Sequence, residues 1–157
     1  MATVPKEGLC ISSFLIITEK NGPKNSVLVG RINPKADWDH IGAINPSRLE
    51  RASKGWMLPS SHLLMRESPE TSVKRIIREQ LGIEDESKVH LNPQPIVFGD
   101  VGVNQHWDLG YIYTGSMAKE DLPKHSNTWV DLKFVDFDKA AKSDFVRLQN
   151  DVISYVV

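Results

Sequence analysis

The residues best suited to chemistry lie close together in the stretch 56–83. Two carboxylates, Glu67 and Glu79, lie on either side of Arg75, and His62 precedes all three. Carboxylate oxygens suit Mg²⁺, arginine pairs with carboxylate or phosphate, and histidine titrates near neutral pH. The residue types therefore allow metal binding, phosphate binding or proton transfer, and the backbone that carries them decides what they can do.

The sequence predicts that a helix carries the second half of this stretch, from Ser68 to Leu81. Ser68 suits the N-cap, Pro69 the first helical position, and Gly82 the C-terminal stop. Apolar residues recur at four-residue spacing and predict its buried side: Val73, Ile77 and Leu81.

The remaining elements alternate between strand and helix patterns. Strands are predicted at 10–18, 26–32, 96–103, 107–114 and 129–137, and helices at 47–52 and 143–156. Asn21-Gly22-Pro23 predicts a turn, so the first two strands form a hairpin. One mixed sheet covered by helices is the simplest packing, which makes the fold class α/β.

The stretch 61–83 resembles the Nudix box of the Nudix hydrolase superfamily. That box runs Gly, five residues, Glu, seven residues, Arg-Glu, an aliphatic, any residue, Glu-Glu, any residue, Gly, aliphatic. Six residues match it in register: Glu67, Arg75, Ile77, Glu79, Gly82 and Ile83. The resemblance implies a single Nudix-like domain over 1–157, an α/β/α sandwich with a central mixed β-sheet and a loop–helix box. It also implies hydrolysis of a nucleoside diphosphate linked to another group, with Mg²⁺ or Mn²⁺.

This box is degenerate at three positions: Ser61 stands for glycine, and Ile76 and Gln80 stand for glutamates. On a helical wheel of about 100° per residue, the family's metal face would keep one anion, Glu79. We therefore expect weakly bound metal, and the double change Ile76→Glu, Gln80→Glu is expected to tighten Mg²⁺ binding.

The resemblance also assigns roles to individual residues. Glu79 would hold the metal with Glu67, which also pairs with Arg75 and ties the loop to the helix. His62 and Gln80 would assist catalysis. Arg75 and Ser61 would contact the substrate. The catalytic base stays unassigned, because the loop 116–128 has Glu120 and Asp121 but no carboxylate in its last residues.

Several other residues have both a chemical and an ordinary interpretation. His106 and Asp108 share one side of a strand and could bind metal, although an exposed polar strand start is the simpler interpretation. His125 could replace the base or be a solvated loop residue. Lys74 and Arg78 could bind phosphate, but a solvated helix face is favoured.

The tryptophans and the cysteine complete the set of candidates. Trp38 lies in a polar loop and is the best candidate to stack on a nucleobase, whereas core packing is favoured for Trp56. Cys10 is the only cysteine and has no local sign of activation, so we do not expect it to act as a nucleophile.

Composition limits the classes of partner. Nineteen Lys and Arg against 20 Asp and Glu give a net charge of −1, which argues against a generic DNA binder or a membrane-surface protein. No targeting or membrane segment stands out, so we expect a cytoplasmic protein. A homodimer is expected only because dimers are common in the family.

We expect a small-molecule, nucleotide-type substrate, and two functions are open. The first is metal-dependent hydrolysis of a phosphoanhydride. The second is binding of a nucleotide or RNA by a Nudix-like module that has lost catalysis. The loss of two helix carboxylates favours the second, and the intact frame of Glu67, Arg75 and Glu79 favours the first.

Overall fold

The computed structural model describes residues 9–42, 46–101, 107–124, 126–146 and 149–157. These residues form seven strands: β1 (Leu9–Glu19), β2 (Ser26–Ile32), β3 (Ser60–His62), β4 (His90–Leu91), β5 (Ile96–Val101), β6 (Trp107–Met117) and β7 (Trp129–Asp136). They also form four α-helices: α1 (Trp38–Ile41), α2 (Pro46–Ala52), α3 (Pro69–Arg75) and α4 (Gln149–Ile153).

One mixed sheet joins all seven strands, with the order β4-β6-β1-β2-β7. Strands β1 and β6 pair in parallel along their full length, and the other pairings are antiparallel. The expected hairpin is confirmed, because β1 and β2 pair with Thr18 opposite Val27. Strand β3 pairs with the first half of β1, and β5 with the first half of β6. The loop before α3 is therefore held on the sheet.

Both faces of the sheet are covered, which confirms the α/β/α sandwich. On one face, α3 and the turn after it pack against the sheet through a buried cluster that includes Leu15, Ile17, Leu28, Val73 and Ile77. On the other face, α4 and its neighbours pack through Ile16, Val29, Leu58, Phe145 and Ile153. Alternate residues of β1 thus point into opposite cores, as a strand buried on both faces requires.

The helix predicted from Ser68 to Leu81 changes type half-way along. Ser68 caps it by accepting a hydrogen bond from the backbone N–H of Thr71, as expected. From Ile76 to Gln80 the backbone forms a π-helical turn, in which the N–H of Leu81 donates to the Ile76 carbonyl at 3.2 Å. Such a turn contains an extra residue. The wheel of about 100° per residue therefore does not apply beyond Arg75.

The C-terminal prediction is also corrected. The α-helix there covers Gln149–Ile153, and a 3₁₀ turn at Lys142–Asp144 precedes it. Phe145 forms a β-bridge with Trp56 and so is not helical. Phe145 and Val152 still belong to one core cluster, so the apolar pattern identified core residues but not the backbone between them. Among the described helices, none has both the length and the apolar content to cross a bilayer.

Candidate functional site

Arg75 ties the loop before α3 to the helix. Its guanidinium forms a fork with Glu67, at 2.7 Å from Nε to Oε1 and 2.9 Å from Nη2 to Oε2. It also donates to the Ser61 hydroxyl at 3.1 Å, and to the backbone carbonyls of His62 and Ile41 at 3.2 Å each. The predicted Glu67–Arg75 pair is confirmed. Because the Arg75 side chain is 7% exposed and bonded to protein groups, the substrate contact predicted for it stays a prediction.

Glu67 is committed to the same loop. Its side chain is 8% exposed, and Oε2 also accepts from the backbone N–H of Leu64 at 2.9 Å. Desolvation alone would raise the pKa of Glu67. The hydrogen bonds from Arg75 and Leu64, with the attraction of the guanidinium, outweigh it and lower that pKa. Glu67 is therefore a charged, fully bonded anchor, and a metal ion would have to displace these donors.

Gln80 connects the π-helical turn to the start of β3. Its side chain is 1% exposed. Its Oε1 accepts from the backbone N–H of Ser60 at 3.2 Å, and its Nε2 donates to the carbonyls of Ser60 at 2.8 Å and of Ile41 at 3.2 Å. The amide thus pairs with both the backbone N–H and the backbone carbonyl of Ser60. A glutamate could not make these bonds, because it would turn a second acceptor toward two carbonyls.

Ile76 and Glu79 differ sharply in surroundings. Ile76 is 0% exposed and lies in the core cluster with Val73, Leu28 and their neighbours. The Glu79 side chain is 30% exposed, with Oε1 3.8 Å from Nη2 of Arg78. Its Oε2 is buried without a hydrogen-bond partner among the described residues. Of the three box positions Ile76, Glu79 and Gln80, Glu79 therefore alone offers a carboxylate that could coordinate a cation.

A half-exposed patch of aromatic and polar side chains lies on the α4 side of the sheet. We call Ser12, Phe14, His62, Phe98 and Tyr155 the aromatic patch. The Phe14 and Phe98 ring centroids are 5.9 Å apart, and Phe98 stacks on Tyr155 at 5.2 Å. Strand register explains the grouping, because Phe98 and Ser12 both lie opposite Gly110, and His62 lies opposite Ser12. A Cβ on Gly110 would collide with the Phe98 ring, so the glycine lets that ring lie on the sheet.

His62 lies at one end of this patch, beside the box loop. Its Nδ1 is 2.9 Å from the Cys10 sulfur and 2.9 Å from the Ser12 hydroxyl. Its backbone carbonyl accepts from Arg75 and from the Ser61 hydroxyl. No residue near Cys10 in the sequence indicated that it would have such a partner. Register supplies it, because β3 brings residue 62 onto β1.

Comparison with solved structures places this architecture among known ones. The structure is similar to the MutT protein from Methanosarcina mazei Go1, with a TM-score of 0.61, 16% identity and coverage of 98% of this chain and 95% of that one. It is similar to an Ap4A hydrolase from C. elegans, solved as a binary complex, with a TM-score of 0.62, 13% identity and coverage of 92% and 93%. The chain has the Nudix fold. A MutT NUDIX hydrolase from Burkholderia pseudomallei is also similar, with a TM-score of 0.58, 14% identity and coverage of 96% and 100%.

Sequence comparison adds no closer relative. No protein-family profile matches the chain, and no curated protein matches its sequence. At these identities the structural likeness shows the Nudix fold alone, because one fold supports many functions. What this chain does must be argued from its own residues.

The residues that the structure describes form no preformed site for the divalent metal that the Nudix fold implies. Within the described part of the chain, no group of three or more His, Cys, Asp or Glu side chains could hold a metal ion. Of the box positions, Glu67 is bonded to Arg75, Gln80 to Ser60, and Ile76 lies in the core. Mg²⁺ in proteins is usually held by one or two carboxylates together with waters and substrate phosphates, so Glu79 alone would leave the ion dependent on the substrate.

Trp38 is not the stacking residue that the sequence suggested. Its side chain is 1% exposed, its indole N–H donates to the Asn33 carbonyl at 2.8 Å, and it meets the edge of Trp129 at a centroid distance of 5.2 Å. A base cannot reach a ring enclosed in this way. Trp38 is a core residue, and Trp56, 8% exposed, is one as predicted.

Ser61 makes its contacts inside the loop. Its residue exposure is 4%, and its hydroxyl donates to the His62 carbonyl at 2.9 Å while accepting from Arg75. The substrate contact predicted for Ser61 would require breaking one of these bonds. Ser61, which stands where the Nudix box has a glycine, therefore adds two hydrogen bonds within the loop.

The other candidates fall in different regions. His106 and His125 lie outside the described residues. Lys74 pairs with Glu70 at 3.2 Å, and the side chains of Lys74 and Arg78 are 47% and 51% exposed, as expected of a solvated helix face. Asp121 pairs with Lys88 at 3.5 Å. The sequence missed Phe14, Phe98 and Tyr155. The alternation Cys10, Ser12, Phe14 marked one face, but only the pairing of β1, β5 and β6 reveals the patch.

Proposed function

We propose that this Nudix-fold chain is a single-domain module that binds a nucleotide-type small molecule without metal-dependent hydrolysis at the box. The complete burial of Ile76 carries the proposal. That position would need a carboxylate for the family's metal face, yet its side chain belongs to the core under the sheet. Gln80 supports the same conclusion, because both polar atoms of its amide are hydrogen-bonded to the backbone of Ser60.

The aromatic patch supports ligand binding. Small-molecule sites combine apolar and aromatic surface with a few polar groups that fix orientation. Phe14 and Phe98 are half-exposed rings, and Ser12 and His62 beside them carry hydroxyl and imidazole groups. A nucleobase has a flat face and polar edges, so it matches both components. Arg75 also donates to the backbone carbonyl of His62, which holds the backbone of this residue beside the patch.

Ligand-dependent melting combined with product analysis tests the proposal. The protein is incubated with ADP, ATP or ADP-ribose, with and without Mg²⁺. A ligand at about 100 times its dissociation constant adds about 2.7 kcal/mol of stability, which raises the Tm of a domain of this size by about 5–10 °C. We expect such a rise for at least one ligand, with no product by chromatography.

A matched pair of variants locates the site. Phe98→Leu should abolish the ligand-dependent rise in Tm, because it removes a ring of the patch. Phe137→Leu removes a half-buried phenylalanine that packs against Phe145, outside the patch, and should leave the rise unchanged. Equal loss in both variants, or no rise with any ligand, contradicts binding at the patch.

Hydrolysis is the second candidate, because of one observation at Glu79. Its buried Oε2 has no hydrogen-bond partner among the described residues, and an unsatisfied buried acceptor is costly to keep without a role. A water molecule or a substrate hydroxyl could donate to it. Turnover of any of the three nucleotides that disappears in Glu79→Gln would establish this function in place of simple binding.

A further inference from the structure

We propose that Cys10 and His62 form a nucleophilic thiol site that reacts with small hydroperoxides. The two side chains come from different strands, β1 and β3, and meet at 2.9 Å between Sγ and Nδ1. Neither the fold nor nucleotide binding requires a thiol at this position. The inference is therefore independent of the proposed function.

The arrangement supplies a base and a third polar group around the thiol. An activated cysteine needs a base within hydrogen-bonding distance and a group that orients that base. His62 Nδ1 provides the base, and the Ser12 hydroxyl lies 2.9 Å from the same nitrogen. The register of Ser12 with His62, and the bond from Arg75 to the His62 backbone carbonyl, fix the backbone of residue 62 beside β1.

Proton transfer from Cys10 to His62 yields an ion pair that its surroundings stabilise. Once Nδ1 carries the proton, it donates to the thiolate and can no longer accept from Ser12. The Ser12 hydroxyl, 3.8 Å from the sulfur, then donates to the thiolate as well. Hydrogen bonds to the charged form, and a neighbouring imidazolium, favour the thiolate. Asp108 lies in register with Cys10 on β6, and a carboxylate beside the thiol opposes its ionisation, so the imidazolium and the Ser12 hydroxyl must outweigh it.

The burial of Cys10 limits the size of the oxidant that can reach its sulfur. Cys10 is 6% exposed, so a bulky disulfide reagent cannot approach its sulfur without opening the strand. Hydrogen peroxide is about the size of two water molecules and is uncharged. Because the chain has one cysteine, oxidation cannot proceed to an internal disulfide. The product is therefore a sulfenic acid, the first step of thiol oxidation.

The reaction balances without a further reactant. The thiolate sulfur attacks one peroxide oxygen, so an S–O bond forms and the O–O bond breaks. Sulfur loses two electrons, and the peroxide is reduced. The leaving hydroxide takes the proton held on His62 and departs as water. Overall, one thiol and one hydrogen peroxide give one sulfenic acid and one water.

Trapping with dimedone after oxidation tests the proposal. The folded protein is treated with hydrogen peroxide, catalase removes the excess, and the protein is then unfolded in urea with dimedone present, because the folded strand shields Cys10 from bulky reagents. Dimedone reacts with sulfenic acid, so the adduct mass reports the Cys10 that was oxidised in the folded state even if methionines oxidise. At pH 7 an ordinary thiol is a few per cent thiolate, so loss of the imidazole should slow adduct formation about 10- to 30-fold in His62→Gln. Ser12→Ala should slow it less, and Cys10→Ser should give no adduct. His90→Gln removes an exposed histidine from β4 and should react like wild type.

A second measurement separates the ion pair from a folding effect. Thiolate absorbs near 240 nm, and the wild type should show this absorbance at pH 7, while His62→Gln should lack it. Both proteins are first shown to be folded by circular dichroism. If folded wild type forms no adduct, or if folded His62→Gln forms it as fast as wild type, the proposal is wrong. Loss of nucleotide binding alone would leave these results unchanged.

Discussion

The stretch that resembles the Nudix box has two halves, 61–75 (the loop half, which ends with α3) and 76–83 (the helix half), and they match the box to different extents. In the loop half, Arg75 and Glu67 keep a two-bond fork, and the surrounding carbonyls accept the remaining guanidinium hydrogens. In the helix half, two positions that are glutamates in the box are occupied here by side chains with partners inside the protein. Ile76 packs under the sheet, and Gln80 bonds to Ser60.

This difference separates the residues that hold the stretch in shape from the positions at which the box binds metal. The Arg75–Glu67 fork ties the loop to the helix whether or not the stretch binds metal. Ile76 and Gln80 stand where the Nudix box has glutamates, and in this chain both have partners inside the protein. The predictions below test whether Ile76 and Gln80 are now as structural as Arg75.

The largest effect is expected from Ile76→Glu. The change removes a fully buried apolar side chain and places a carboxyl group in the core. Removing such packing costs about 2–5 kcal/mol, and burying a polar group without a partner adds more. We expect the free energy of unfolding, measured with urea at pH 7, to fall by about 4–5 kcal/mol.

The control for this change is Arg78→Glu, on the exposed face of the same turn. It should alter stability by about 0.5 kcal/mol or less. If Ile76→Glu is equally mild and binds Mg²⁺, the metal face exists after all. The gain in Mg²⁺ binding expected from Ile76→Glu with Gln80→Glu would then hold. The core position of Ile76 argues against it.

Arg75→Met tests the loop half. It leaves the Glu67 carboxylate 8% exposed without its counter-ion. Breaking a buried ion pair from one side costs about 3–5 kcal/mol. Lys74→Met removes an exposed cation one residue earlier and should cost about 0.5 kcal/mol or less, since surface pairs contribute little. Similar urea midpoints for the two variants would show that the fork is not structural.

Gln80→Glu is expected to cost less, about 2–3 kcal/mol. The new carboxylate would lose the two bonds that Nε2 donates to Ser60 and Ile41, and buried carbonyls without donors are costly. The loss should shrink at acidic pH, because a protonated glutamate can donate one bond. Melting with and without Mg²⁺ is the decisive comparison. Stabilisation by Mg²⁺ in this variant alone would indicate that Gln80 still faces a metal site.

Sequence patterns predicted the helix bounds and the Glu67–Arg75 pair well, because the signals for both are local. Ser68, Pro69 and Gly82 bound the helix through short-range capping and turn chemistry. The register of Glu67 and Arg75 then placed the fork correctly. The bounds of the five predicted strands were close for the same reason, since alternation is a property of neighbouring residues. The short strands β3 and β4 were not predicted.

The site could not be predicted to the same extent, because it depends on pairings distant in sequence. Cys10 meets His62 across β1 and β3, and Phe98 meets Phe14 across β5, β6 and β1. The wheel also failed after Arg75, because a π-helical turn inserts a residue that no local signal announced. Trp38 looked like a loop residue, yet it fills the core beside Trp129.

The smallest effect, and the most specific to the fork, is its pH dependence. The pKa of Glu67 in the folded state lies below its unfolded value, because the hydrogen bonds and charge of Arg75 outweigh desolvation. Its contribution to stability is therefore complete above about pH 4.5 and is lost as the pH falls through the lowered folded pKa.

Asp85 and Asp136 also have lowered pKa values and titrate in the same range, so wild type alone cannot isolate Glu67. Glu67→Gln removes one titrating group and keeps these two. We expect the stability of wild type to fall more steeply below pH 4.5 than that of Glu67→Gln, in urea denaturation at a series of pH values. Parallel curves would mean that Glu67 keeps an ordinary pKa, and that the fork holds the loop by geometry instead of charge.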